Sequence, residues 1–122
     1  MEKLFIPYKQ ALELKELGFN ELCIARFDGG GFRMLPTYDP LKNSEIKEAW
    51  FCVSPLYQQA FKFFRDKYEK YGTIRYGYNE FNKSVYLFPC INGIVVGNES
   101  FESYEEAELE CLKRLIESVK SN

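Results

Sequence analysis

The chain has 122 residues, sixteen basic and eighteen acidic side chains and a net charge of −2, and 17% of its residues are aromatic. This length predicts a single domain, residues 1–122, with a core of ordinary stability. Because the charges are interspersed and form no basic stripe, duplex nucleic acid is a poor candidate partner. No apolar run approaches the ~18 residues of a membrane span, so a membrane partner is not expected.

The sequence contains no histidine. This excludes Ser-His-Asp and Cys-His catalysis and histidine-bearing zinc sites, so an enzyme would have to use carboxylates, lysine, tyrosine or a metal held by oxygens. The four cysteines, Cys23, Cys52, Cys90 and Cys111, form no C-x-x-C pair and lie among apolar residues. We therefore expect free buried thiols, with no metal site, no cofactor and no catalytic residue.

The first part of the chain predicts a helix followed by a β-hairpin. The helix is expected over residues 7–17, with Gly18 as the left-handed residue beyond its end. Strands are predicted over residues 21–27 and 32–35, and the turn that joins them contains three consecutive glycines at residues 29–31. The glycines indicate either a flexible hairpin tip or a loop whose bare backbone approaches a ligand.

Two arginines, Arg26 and Arg33, lie on opposite limbs of this hairpin. They are expected either to face acidic neighbours or to take part in binding. Residues 36–48 then predict a long loop with one helical turn near its end, and loops of this length are often functional or mobile. A short strand over residues 49–53 follows and carries Trp50, the only tryptophan. Trp50 is interpreted either as a core residue or as a surface on which a ligand stacks.

The sequence is organised around a central helix, predicted to begin after Ser54 and to reach about Tyr71. Ser54 is the expected N-cap, Pro55 the first helical residue, and Gly72 the left-handed residue past the end. Its apolar arc of roughly 160° is wider than an ordinary surface helix needs. The arc contains Leu56, Tyr57, Ala60, Phe61, Phe63, Phe64, Tyr68 and Tyr71. We therefore expect this helix to pack on more than one side or to offer aromatic surface to a partner.

The remainder predicts an antiparallel meander and a last helix. Strands are expected over residues 73–78, 84–91 and 94–97, with Asn92-Gly93 as the hairpin turn between the last two. The final helix runs from residue 104 to about residue 120, and Ser103 with Glu106 forms its capping box. The predicted class is α+β, an antiparallel sheet of about five to six strands with three helices, in the order α-β-β-β-α-β-β-β-α.

Nine residues form the predicted ligand-binding set. The N-terminus of the central helix offers free N–H groups and a dipole that attract phosphate or carboxylate, and near it lie Trp50, Ser54, Tyr57 and Gln58. Arginine forks onto phosphate and tyrosine stacks on a base, which gives a second group of Arg65, Arg75, Tyr76, Tyr78 and Lys83. Ordinary helix capping and a solvated sheet face with half-buried tyrosines are the simpler explanations of the two groups.

Three pieces of the sequence together resemble a known class of proteins. They are residues 4–12 (LFIPYKQAL) with 15–19 (KELGF), residues 55–61 (PLYQQAF) with 64–68 (FRDKY), and residues 104–108 (YEEAE) with 111–113 (CLK). In these pieces the chain resembles small, uncharacterised proteins encoded in bacteriophages and prophages of gut bacteria. The resemblance implies an accessory factor that acts on the host, and it carries no catalytic motif.

We expect a non-enzymatic phage accessory protein that binds a small anionic ligand, such as a nucleotide immune signal, and so inhibits host antiviral defence. It would act in the host cytoplasm, since the N-terminus lacks a signal pattern, and the excess of aromatic residues favours a homo-oligomer. The alternative is an inhibitor or adaptor that binds a host protein through the aromatic face of the central helix.

The two hypotheses differ in the surface that each requires. A ligand binder should have a concave pocket with converging polar groups, and a protein binder a flatter exposed apolar patch. A third hypothesis, a histidine-free hydrolase, would need clustered carboxylates and a metal. The acidic residues of the last helix are better explained as a solvated face; they are Glu105, Glu106, Glu108 and Glu110.

Overall fold

The computed structural model describes residues 2–120, which form three α-helices and six β-strands in the predicted α+β order. The single sheet expected from the sequence is wrong, because the strands form two separate three-stranded antiparallel sheets. The chain divides into two compact units, with the boundary between Ala60 and Phe61. Each sheet lies within one unit.

The first unit contains one helix and one small sheet. Helix α1 is Tyr8–Glu16, and the strands are β1 (Ala25–Asp28), β2 (Gly31–Met34) and β3 (Cys52–Val53). Strand β1 lies between the other two and pairs antiparallel with both, and α1 packs against β3. Its core side chains are Phe5, Ile6, Ala11, Leu14, Phe19, Cys23, Ala25, Cys52 and Val53. The observed strands β1 and β3 are shorter than the strands predicted over residues 21–27 and 49–53.

The end of α1 confirms the predicted glycine. Gly18 has φ +95°, and its N–H donates to the Lys15 carbonyl at 3.0 Å. The Phe19 N–H donates to the Leu14 carbonyl at 2.9 Å, and both side chains are fully buried. These two hydrogen bonds define a Schellman ending, in which only glycine adopts the left-handed backbone without strain.

The long loop over residues 36–48 is fastened to the core by a buried amide. Asn43 begins the 3-10 turn Asn43–Glu45, and its Nδ2 donates to the Phe19 carbonyl at 2.9 Å. Its Oδ1 accepts the Val53 N–H at 3.0 Å. Asn43 is 6% exposed, and its amide forms hydrogen bonds with one backbone group just after α1 and one in β3. It therefore attaches the loop to both elements.

Helix α2, Tyr57–Tyr68, begins later than predicted and spans the boundary between the units. The capping role expected for Ser54 is wrong, because Ser54 is fully buried and its hydroxyl donates to the Ile6 carbonyl at 2.8 Å. Instead, the Gln59 Oε1 accepts the Leu56 N–H at 3.0 Å. A glutamine in the first turn thus returns to the start of the helix, as one half of a capping box does.

The C-terminus of α2 also differs from the prediction. The left-handed residue is Glu69, at φ +55°, and its N–H donates to the Arg65 carbonyl at 3.2 Å. Gly72 is the first residue of β4, where a Cβ would lie 2.8 Å from the Leu115 Cδ1 and 3.1 Å from the Cys111 Sγ. Gly72 is therefore required for close packing rather than for a turn.

The second unit contains the larger sheet. Its strands are β4 (Gly72–Asn79), β5 (Ser84–Ile91) and β6 (Ile94–Val95), and helix α3, Tyr104–Lys120, packs on β4 and β5. The buried residues between sheet and helix include Pro89, Cys90, Ala107, Cys111, Leu112, Leu115 and Ile116. This arrangement confirms the predicted meander and the packing of the last helix on it.

Two local predictions in this unit are confirmed. Asn92 and Gly93 have φ +53° and +81°, the signs that a type I′ hairpin turn requires. The Ser103 Oγ accepts the Glu106 N–H at 3.1 Å at the start of α3. Of the helices within residues 2–120, none has the length and apolar character needed to cross a membrane.

Candidate functional site

The aromatic face of α2 is part of the core. Tyr57, Ala60, Phe63 and Phe64 are each at most 9% exposed. Phe63 and Phe64 meet edge to face with ring centroids 5.4 Å apart. Of the two alternatives expected for this face, packing rather than display to a partner applies to these four residues.

The predicted residues of the first unit do not form one site. Trp50 is 74% exposed and Gln58 is exposed, whereas Ser54 and Tyr57 are buried. The Trp50 carbonyl accepts a hydrogen bond from the Tyr8 hydroxyl at 2.8 Å, which fixes the backbone and leaves the indole in solvent. Trp50 is thus a surface residue held in place, and not a core residue.

The predicted residues of the second unit are spread over two faces of the β4–β5 hairpin. Arg75 is opposite Phe88 on one face, and its guanidinium donates to the Gly93 carbonyl at 3.3 Å. Tyr76 and Tyr78 lie on the other face, 73% and 58% exposed. Lys83 belongs to the turn and Arg65 to the exposed side of α2: the five residues do not converge.

Two asparagine side chains form hydrogen bonds within the turn of this hairpin. The Asn79 Oδ1 accepts the Phe81 N–H at 2.9 Å and the Asn82 N–H at 3.4 Å. The Asn82 Oδ1 accepts the Ser84 hydroxyl at 2.5 Å, and its Nδ2 donates to the Tyr86 hydroxyl at 2.7 Å. Asparagine favours such local bonds, and here they fix the conformation of the turn.

Phe81, at the tip of that turn, is the most exposed large apolar side chain of the described residues, with a relative exposure of 101%. Behind it is an open, shallow cleft of about 500 Å³ that is lined by Gly77, Tyr78, Asn79, Glu80, Phe81, Tyr86 and Phe88. The hairpin therefore displays an aromatic surface, which we call the hairpin tip: Phe81, with Tyr86 and Phe88 on one face of the sheet behind it.

Gly77 shapes the inner wall of this cleft. A Cβ on Gly77 would lie 3.2 Å from the Phe88 Cε2, so the phenyl ring covers the bare backbone. Phe88 and Tyr86 are on the same face of the sheet, since they pair with Arg75 and Gly77. An aromatic ring next to a glycine in a strand is a common way to cover exposed backbone, and it leaves a flat apolar floor.

In the first hairpin, β1–β2, the Asp28 carboxylate makes the contacts that hold the turn and the neighbouring arginines. The Asp28 Oδ2 lies 3.1 Å from the Arg33 Nε and 3.8 Å from the Arg26 Nε, and its Oδ1 accepts the Gly30 N–H at 2.8 Å. The Arg26 Nε is buried and has no hydrogen-bond partner within residues 2–120. Its guanidinium lies over the Phe51 ring, 5.9 Å from the centroid.

All four cysteines are free and buried, as the sequence predicts. Burial raises the pKa of the Cys23 and Cys111 thiols to about 12 and that of the Cys52 thiol to about 11. Thiols with such pKa values stay protonated at neutral pH and are poor nucleophiles. These cysteines behave as small apolar core residues.

One acidic residue of α3 departs from the expected solvated face. Glu108 is half-buried, and this burial, together with the nearby Glu105 carboxylate, raises the pKa of Glu108. Burial and Glu108 also raise the pKa of Tyr104. Glu110 pairs instead with Arg114 at 2.9 Å, so the acidic residues of this helix have different environments.

No protein-family model matches this chain, and no match was found among curated proteins or among solved structures. The functional assignment therefore depends on the geometry of the chain.

The residue that sequence reasoning missed is Phe81. It lies among the polar residues Asn79, Glu80 and Asn82, between the strands predicted over residues 73–78 and 84–91. The signal was present in the sequence, because a phenylalanine in a short polar turn has no core to enter. Helical periodicity does not detect such a residue, because it selects aromatic side chains that usually belong to the core.

Proposed function

We propose that this chain is a non-enzymatic binding protein that docks on a protein partner through the hairpin tip. In the phage setting that the sequence resembles, the partner is a host protein whose action the chain blocks or redirects. The observation that carries the proposal is the full exposure of Phe81 on a turn whose Asn79 and Asn82 side chains accept several hydrogen bonds and donate one.

The chemistry of the hairpin tip fits a protein surface better than a small ligand. Aromatic anchors that enter a pocket on the partner dominate the energy of many interfaces. The cleft behind Phe81 is shallow and open, whereas small ligands favour enclosed pockets with converging polar groups. A flat aromatic surface with one projecting ring has the form expected of a protein-binding site.

Pre-organisation supports the same proposal. A turn whose backbone is already ordered loses less conformational entropy when it binds. The Phe81 backbone is fixed by Asn79, and Glu80 and Lys83 flank the ring with opposite charges on exposed positions. A hydrophobic centre with a polar, charged rim is the usual composition of a non-obligate interface.

Photo-crosslinking tests the proposal. A photoreactive phenylalanine analogue replaces Phe81 in one protein, and in a control protein it replaces Tyr38, which is 88% exposed on the first unit. Both proteins are irradiated in lysate of a gut bacterium. We expect a discrete protein adduct from position 81 alone, and unlabelled wild-type chain should compete it away.

Competition with unlabelled Phe81→Ala chain distinguishes specific docking from non-specific adsorption. Unlabelled Phe81→Ala chain should fail to compete, because it lacks the anchor but keeps the fold. Adducts of equal yield from positions 81 and 38, or full competition by Phe81→Ala, would contradict the proposal. Circular dichroism of Phe81→Ala checks that the variant is folded.

The first hairpin favours a second candidate function, the binding of a small phosphate-bearing anion. The specific observation is the buried Arg26 Nε without a hydrogen-bond partner within residues 2–120, beside the exposed Arg33 guanidinium. Two arginines share one carboxylate here, which leaves one positive charge for a ligand. A nucleotide signal is the first ligand to test.

Trp50 provides the readout for that test. It precedes Phe51, whose ring lies against Arg26, and it is the only tryptophan in the chain. Inorganic phosphate, ADP-ribose and cyclic nucleotides are titrated while indole fluorescence and melting temperature are followed. A saturable change that Arg33→Met abolishes would support the site, and an equal change in that variant would reject it.

A further inference from the structure

The two sheets have four edge strands, and three of these edges are short. β2 has four residues, and β3 and β6 have two residues each. β4 has eight residues, all paired with β5 in one unbroken register, and within residues 2–120 no strand lies on its other side. An unpaired edge of this length is a template for another strand.

β4 also lacks the devices that usually protect an edge. Natural edge strands carry lysine, proline or a bulge that prevents pairing. β4 reads GTIRYGYN and contains neither lysine nor proline, and its only charge is Arg75. Tyr76 and Tyr78 are 73% and 58% exposed, so the outer half of the strand is not covered.

We propose that β4 pairs antiparallel with β4 of a second copy of this chain, with Tyr76 on the two-fold axis. The β4–β5–β6 sheets of the two copies would then join into one sheet of six strands. Residues opposite each other in an antiparallel pair share a face of the sheet, so the axis of such a pair passes through the position of one residue. The choice of that residue sets every cross-strand pair.

The Tyr76 register gives favourable pairs along the strand. Tyr76 faces its own copy, and Tyr78 faces Ile74, which are aromatic–aromatic and aromatic–β-branched pairs of the stabilising kind. Arg75 faces Gly77, where there is no side chain to clash with the guanidinium. Seven residues of each strand, residues 73–79, take part.

The neighbouring registers are worse. An axis at Arg75 places two guanidiniums directly opposite each other, and like charges in that position are destabilising. An axis at Gly77 pairs only residues 75–79, and an axis at Ile74 pairs only residues 72–76. Sequence and strand length together therefore select the Tyr76 register.

The size of this contact sets its expected strength. One pair of seven-residue strands buries less than the ~800 Å² per partner of a standard stable complex. We therefore expect a concentration-dependent equilibrium between monomer and dimer, which the small net charge of −2 per chain does not prevent. Phe81 lies beyond the paired residues, so the hairpin tip stays free.

Sedimentation velocity over a wide range of concentration tests the dimer. Tyr76→Asp places two carboxylates opposite each other on the axis and should abolish dimerisation. Val85→Asp is the matched control, because Val85 pairs with Tyr78 on the same face but lies on β5, away from the edge. A wild-type chain that stays monomeric at every concentration, or a dimer that survives Tyr76→Asp, would overturn the proposal.

A mixing experiment separates loss of the interface from loss of the fold. Tyr76→Asp and Tyr76→Lys should each be monomeric, and an equimolar mixture should recover a heterodimer by native mass spectrometry. Recovery requires residue 76 to face residue 76, so it supports the register and shows that both variants are folded. A mixture that stays monomeric would overturn the proposed axis.

Disulfide trapping checks the register directly. Opposite Cα atoms are about 4.5–5.5 Å apart, within the span of a disulfide. Tyr76→Cys should form a cross-linked dimer under mild oxidation, whereas Arg75→Cys and Val85→Cys should not. Cross-linking through Arg75→Cys alone would reject the Tyr76 axis. Phe81→Ala should dimerise like wild type, which separates this proposal from docking at the hairpin tip.

Discussion

The hairpins β1–β2 and β4–β5 are the same motif with opposite use of their side chains. In the first, the charged groups of Arg26, Asp28 and Arg33 bind one another around a glycine turn. In the second, asparagine side chains bind the turn itself and Phe81 points into solvent. The first hairpin uses its charged groups in contacts with one another, and the second leaves an aromatic ring exposed.

The difference arises from the residues that close each turn. In the first turn, one oxygen of Asp28 accepts the Gly30 N–H and the other faces Arg26 and Arg33, so one carboxylate serves both the turn and the arginines of the two strands. In the second turn Lys83 has φ +54° without being a glycine, which Asn79 and Asn82 help to hold. Turn chemistry thus decides whether the side chains of a hairpin are used locally or displayed.

Removing the carboxylate should give the largest effect. Asp28→Ala leaves the largely buried Arg26 without a countercharge and the Gly30 N–H without its acceptor, so we expect a loss of about 2 kcal/mol in the free energy of unfolding. Urea denaturation measures it. Asp28→Asn, which keeps an acceptor but no charge, should lose less.

The counterpart on the second hairpin is Phe81→Ala. Because the ring is fully exposed, its removal should change stability by less than about 0.5 kcal/mol. A stability loss for Phe81→Ala as large as that for Asp28→Ala would mean that the ring packs on the chain, and the contrast between the hairpins would be wrong.

The order of elements could be predicted because its signals are local. Asn92-Gly93 specifies a turn by backbone conformation alone, and α3 shows its apolar period and its Ser103 cap within a few residues. The division into two sheets could not be predicted in this way. Strand pairing depends on which distant segment each strand edge contacts, and no local sequence pattern predicts that contact.

The candidate site was the harder part for the same reason. Ser54 looks like an N-cap, but its hydroxyl finds the Ile6 carbonyl 48 residues away. The aromatic residues of α2 suggest a binding face, but they fill the core. Phe81 has neither period nor motif, and only its position in a polar turn distinguishes it.

A further prediction concerns the conformational order of the β4–β5 turn. Asn79→Ala removes the acceptor of the Phe81 and Asn82 N–H groups, and we expect a loss of about 1 kcal/mol. Heteronuclear relaxation of the Phe81 amide should show faster motion, and cross-linking from position 81 should weaken. Asn79→Asp keeps the acceptor and should behave like wild type; if Asn79→Ala leaves the amide equally rigid, the turn is not held by this side chain.

The smallest predicted effect is a change in the pKa of Tyr86. Hydrogen bonds from the Ser84 hydroxyl and the Asn82 amide lower the pKa of Tyr86 below its usual value of 10.0. A lowered pKa in the folded state means that these bonds add stability above pH 10, and that the gain is lost as pH falls through the folded pKa.

Asn82→Ala removes one of the two donors, so the pKa of Tyr86 should rise towards its usual value. NMR titration of ring-labelled tyrosine measures the shift, with Tyr76 in the same sample as the internal control. An unchanged Tyr86 pKa would show that the Asn82 amide does not reach the phenol in solution. The hairpin tip would then be a looser surface than the first hairpin, and its advantage as a pre-organised binding site would disappear.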